Sequence, residues 1–91
     1  MSYQINFVPI VEKNIKKWKK SNPIIHQKLI RILLDIAEHP REGIGHPEPL
    51  KNGNDIRYSR HITASDRIIY EIYDDVVTVL VIQVGGHYDD K

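Results

Sequence analysis

Glu48 and Lys51 in "PEPLK", Arg67 at the head of "RIIYEIY", and His87 and Tyr88 in the terminal "GGHYDDK" are the side chains from which this sequence could assemble acid–base chemistry on a phosphodiester. Cleaving RNA needs one group to take the proton of a ribose 2′-OH and another to protonate the leaving 5′ oxygen. It also needs cations to stabilise the phosphorane between them. A carboxylate and an imidazole suit the two proton transfers, and an arginine grips phosphate oxygens with a two-pronged fork. A tyrosine can stack on an exposed base. These residues run from position 48 to position 88, so spacing alone does not unite them. Each has a plain alternative. Glu48 sits between prolines and could be an exposed turn residue, Arg67 could pair with Glu71 or Asp66, and Tyr88 could anchor the terminus on the core.

Other chemistries find less support. His26, His39, His46, His61 and His87 show no short ligand spacing, and there is no cysteine, so no metal site and no cofactor is expected. There is no Gly-x-Ser-x-Gly elbow and no P-loop. "GIG" at 43–45 lacks the third glycine and the preceding strand of a dinucleotide site.

The elements that must position these groups can be read from periodicity. "YQINFV" alternates as a first strand. Pro9 opens a helix to Lys20, with Val11, Ile15 and Trp18 at helical spacing and lysines between them. Asn22 can cap a second helix that Pro23 opens, with Ile25, Leu29, Ile32, Leu33 and Ile36 on one face and a stop at His39-Pro40. So short a connection predicts an antiparallel helix hairpin. "REGIGHPEPLKNGND" reads as a long loop, and loops of this length in small domains are often functional. Three strands follow: "IRYSRHIT", "DRIIYEIY" and "VVTVLVIQV". A tight turn at Asp74-Asp75 separates the last two, and the final strand is apolar on both faces, as a central strand would be. The order predicts an α+β layer, with the hairpin on one face of a mostly antiparallel sheet. Arg57, His61, Arg67 and Glu71 are expected to look out from the other, partly open face.

Ninety-one residues make one domain, residues 1–91, which buries roughly 60% of the surface of its unfolded chain. The net charge of +1 excludes little, but Lys13, Lys16, Lys17, Lys19 and Lys20 crowd the first helix, as a basic patch or a solvated face. No stretch approaches a membrane span and no signal peptide is read, so a cytoplasmic protein with no membrane partner is expected.

"EGIGHPEPLKN", "YSRHIT", "DRIIYEIYDD" and terminal "HY" together resemble the YoeB/Txe family of bacterial toxins within the RelE superfamily, most clearly from Glu42 to Tyr88. The resemblance implies a RelE-like fold and the toxin half of a type II toxin–antitoxin pair. It implies a ribosome-dependent endoribonuclease that cuts mRNA in the A site through the 2′-OH, without a metal. It also implies neutralisation by a YefM-type antitoxin, through which alone the pair would reach operator DNA. Residue by residue, Glu48 matches the general base, His87 the general acid, Arg67 the phosphorane-stabilising arginine, Tyr88 the orienting or stacking tyrosine and Lys51 a lysine near the scissile phosphate. Arg57 and His61 are expected to face the RNA.

Two departures stand out. His61 occupies the place of a second family arginine in "SRHIT", and a histidine is only partly charged near pH 7. Arg60 has the opposite parity and cannot substitute. Asp89, Asp90 and Lys91 extend past the tyrosine where family chains commonly end. The competing reading is a non-catalytic, antitoxin-binding co-repressor, and a weaker one is a nuclease of free RNA.

Overall fold

The structure, a computed structural model, describes residues 2–52 and 54–86. Strand β1 (Gln4–Phe7) leads into helices α1 (Pro9–Ser21) and α2 (Pro23–Glu38). Strands β2 (Glu48–Pro49), β3 (Arg57–His61), β4 (Arg67–Tyr73) and β5 (Thr78–Gly85) follow, with a single 3-10 turn, Asp74–Val76, between β4 and β5. The expected helices are found within a residue of their predicted ends. Asn22 serves both. Its backbone N–H closes α1 on the Trp18 carbonyl at 2.8 Å, and its side chain accepts from the Ile25 N–H at 3.3 Å to open α2. His39 ends α2, donating its N–H to the Asp35 carbonyl at 2.7 Å.

The sheet runs β1-β5-β4-β3-β2. The apolar β5 is indeed interior, parallel to β1 on one side and antiparallel to β4 on the other. Alternation works as the pattern predicts. Ile5 and Phe7 of β1 turn to the core while Gln4 and Asn6 are exposed. Ile68, Tyr70 and Ile72 of β4 meet Val11 of α1 and Leu29, Ile32, Leu33 and Ile36 of α2 in one buried cluster. Val79, Val81 and Val84 of β5 complete it. Their odd spacing reflects a bulge: Ile69 pairs with Gln83 and Tyr70 with Val81, so Ile82 is the extra residue. The bulge switches the parity of the strand end, which buries Val84 and sets Gly85 opposite Arg67.

Three details differ from the sequence expectation. The long loop contains an edge strand, because Glu48 and Pro49 pair with Ser59 and Tyr58 of β3. The Asp74-Asp75 turn is a 3-10 turn completed by Val77 at φ 48, an uncommon conformation for a β-branched residue. The face away from the helices is less open than expected, since Ser59 and Ile69 on it are 3% and 2% exposed.

Candidate active site

The register builds a row of polar groups on the face turned away from the hairpin. Glu48 of β2 stands opposite Ser59 of β3, and Ser59 opposite Ile69 of β4. Two residues along, His61 stands opposite Arg67, and Arg67 opposite Gly85. Paired residues project to the same face, so Glu48, His61 and Arg67 share it. Strand spacing and rise put the Glu48 and Arg67 Cα atoms roughly 12 Å apart, a gap that the two long side chains can close on a phosphate. Glu48 is exposed, and Arg67 is half-buried, its guanidinium making no hydrogen bond to another described residue. Of its two proposed partners, Asp66 accepts from the Thr63 hydroxyl at 2.9 Å and Glu71 is taken by Arg57.

Arg57, expected to face RNA, makes an ion pair on this face. Its Nη2 lies 2.6 Å and its Nε 3.0 Å from Glu71 Oε2. The Tyr73 hydroxyl donates to the other Glu71 oxygen at 2.7 Å. That bond and then the Arg57 guanidinium hold the Glu71 carboxyl below its ordinary value, despite partial burial. Lys51 is exposed beyond β2. His46 and His61 meet edge to face, ring centroids 6.5 Å apart. His87 and Tyr88, with Asp89, Asp90 and Lys91, lie outside the described residues. Gly85, two residues before His87, holds φ 133, a value that side-chain-bearing residues rarely adopt. Among the described residues no three His, Asp or Glu side chains cluster as metal ligands would.

The residue that sequence reasoning passed over is Arg60. It is fully buried, and its guanidinium is satisfied on every side. Nη1 donates to Asp35 Oδ2 at 2.6 Å and the Ile44 carbonyl at 3.1 Å. Nη2 donates to the carbonyls of His39 at 2.5 Å and Glu42 at 2.8 Å, and Nε to the Tyr70 hydroxyl at 3.0 Å. Tyr70 passes the chain on to the Pro40 carbonyl at 2.7 Å. Asp35 also accepts the Ile44 N–H at 3.1 Å. Burial works to raise the Asp35 carboxyl, but Arg60 and the Ile44 amide outweigh it and the group lies below its ordinary value. Burial likewise raises the Tyr70 phenol, against the pull of Arg60.

This network pins residues 39–44 to the sheet, and the His61 N–H to the Gly45 carbonyl at 2.8 Å carries the pinning on toward β2. It explains "GIG". A Cβ on Gly43 would lie 1.9 Å from Asp35 Oδ2, and one on Gly45 2.8 Å from the His61 carbonyl oxygen. The glycines allow close backbone approach, Gly43 to the Asp35 carboxylate on α2 and Gly45 to β3. A signal was available in the sequence: Arg60 has the parity of Tyr58 and Ile62, a charge on an apolar side.

A helix hairpin on one face of a mixed sheet, with a polar row on the other and a glycine-hinged loop bracing its edge strand, defines a RelE-like α+β protein. The family model for the YoeB-like toxin of bacterial type II toxin–antitoxin systems matches residues 9–88, and the chain belongs to that family. It is 34% identical over 71 residues to a Toxin YoeB of Streptomyces coelicolor, covering 78% of this chain and 82% of the relative. It is 27% identical over 79 residues to the mRNA interferase toxin RelE of Escherichia coli, covering 87% and 80%. Among solved structures it matches a chain of the YoeB–YefM complex from Staphylococcus aureus, with a TM-score of 0.81 and 28% identity, covering 97% of this chain and 100% of that one.

Proposed function

We propose that this toxin is a ribosome-dependent endoribonuclease that cuts mRNA by internal attack of a 2′-OH, without a metal. The observation that carries the reading is the register that sets Glu48, His61 and Arg67 on one face, two residues apart along the sheet and on neighbouring strands. Glu48 takes the 2′-OH proton, and the freed oxygen forms a bond to the adjacent phosphorus. The bond to the 5′ oxygen breaks, and His87 supplies its proton. The products are a 2′,3′-cyclic phosphate and a 5′-hydroxyl. Arg67 balances charge on the phosphorane, with Lys51 beside it and His61 supplying a further polar contact, while Tyr88 stacks on a base. Arg57 orders Glu71 and becomes an RNA contact only where the ion pair opens. The E. coli relative named an mRNA interferase supports the activity.

The partner is a cognate YefM-type antitoxin, supported by the staphylococcal complex, with operator DNA reached through that antitoxin. No helix among the described residues is long and apolar enough to cross a membrane, and the substrate, translating mRNA, places the action in the cytoplasm. The test is induced expression of wild type, Glu48→Gln and His87→Gln with 5′-end mapping of transcripts. Wild type is expected to stop growth and leave cuts within translated codons, and both variants are expected to lose the cuts. A wild type that binds antitoxin but makes no cuts would replace this reading with a non-catalytic co-repressor.

A further inference from the structure

A second basic surface lies around the sheet edge from the polar row. Beyond Ser59 the edge of β3 is no longer covered by β2, and a cavity of about 250 Å³ opens there between β3, the loop and α2. Lys28 and Arg31, three apart on one face of α2, stand on one side of it, and His61 on the other. Its apolar lining comes from Ile32, Ile44 and Ile62, and Ile44 is 41% exposed. Both helix cations are exposed, and neither makes an ion pair with a described residue. Among the described residues no acid lines the cavity. Asp35, one helical turn beyond Arg31, has its charge spent on the buried Arg60.

Basic side chains and imidazoles neighbour one another from the polar row to the cavity. Arg67 stands opposite His61 across one strand spacing, His46 meets His61 ring to ring at 6.5 Å, and Lys28 and Arg31 close the far side. Charge of one sign over an apolar floor fits a nucleotide, with phosphate at the rim and sugar or base face on the isoleucines. We propose that this cavity is an RNA subsite, holding a nucleotide of the strand that flanks the cleaved phosphate, with Lys28 and Arg31 as its phosphate contacts. The proposal rests on the reading of the chain as an RNA-cleaving toxin and adds to it where the strand runs.

The test uses the purified toxin and a labelled, fully 2′-O-methylated oligoribonucleotide, which binds without being cut. Fluorescence anisotropy is read across a salt series for wild type, Lys28→Ala/Arg31→Ala, and Lys13→Ala/Lys16→Ala, which removes the same charge from α1. The cavity variant is expected to bind roughly tenfold more weakly, with a salt slope shallower by about 1.4, two phosphate contacts on a single strand. The α1 variant should change much less. Equal losses in both variants, no loss in either, or no binding by wild type at low salt would overturn the subsite. So would RNA binding left intact while binding of an acidic antitoxin peptide is lost. Ribosome-coupled cleavage, run alongside, separates the two readings. Wild type that cuts while the cavity variant binds normally refutes the subsite alone. Cavity-dependent binding by a wild type that never cuts refutes the nuclease alone.

Discussion

Replacing Asp35 by Ala tests the account of how the site is braced. The substitution leaves Arg60, which has no exposed side-chain surface, without its counter-charge, and it strips the Ile44 N–H of its acceptor. Breaking one side of a buried ion pair costs about 3–5 kcal/mol. The Asp35 side chain is 22% exposed and three carbonyls still hold the guanidinium, so the lower end applies, about 3 kcal/mol. A chain of this length has roughly 5–14 kcal/mol of stability in all, so the variant stays folded at room temperature with roughly 2–11 kcal/mol left. Its thermal midpoint should fall by roughly 12–24 °C, read by circular dichroism at pH 7 with urea titration as the check. A fall of less than about 4 °C, under 1 kcal/mol, would show that the pair is not what holds residues 39–44 to the sheet.

The same pair sets an acid dependence. The folded Asp35 carboxyl lies below its unfolded value near 3.8, so its contribution is complete above that pH and is lost as pH falls through the lower folded value. Wild-type urea midpoints should therefore drop steeply below about pH 4, and Asp35→Asn should flatten that drop; equal slopes would refute the assignment. Gly45→Ala should destabilise by about 2 kcal/mol or more, since φ 81 and a backbone oxygen 2.8 Å from the new Cβ both oppose it; an unchanged denaturation midpoint would contradict this. His61→Arg should keep or raise activity in a translation-coupled cleavage assay, and a clear loss would count against His61 as a substrate-facing residue.

How much of this was legible in the sequence depends on the range of the interaction. Caps, helix stripes and strand alternation act over a few residues, and Asn22, Pro23 and the Ile68-Tyr70-Ile72 face appear where the pattern puts them. The parallel pairing of β1 with β5 joins residues far apart in sequence and has no local signal. Nor has the bulge at Ile82, since an apolar run shows no parity to break. The two-residue strand at Glu48–Pro49 is hidden because prolines read as loop, yet its edge position tolerates them. For the site, parity gave the shared face of His61 and Arg67. It could not show that Arg57 would be drawn to Glu71, nor that Arg60 would find Asp35 twenty-five residues earlier.

The central claim is that the 2′-OH of the mRNA is the nucleophile and that Glu48 takes its proton. The most direct measurement is single-turnover cleavage on programmed ribosomes carrying either an all-ribose message or one with a single 2′-deoxy sugar at the cut position. The account predicts a 2′,3′-cyclic phosphate and a 5′-hydroxyl from the first message, no cut in the second, and a loss of about 10²–10⁴-fold in rate for Glu48→Gln. Equal cutting of the deoxy message, or products ending in a 5′-phosphate, would contradict it.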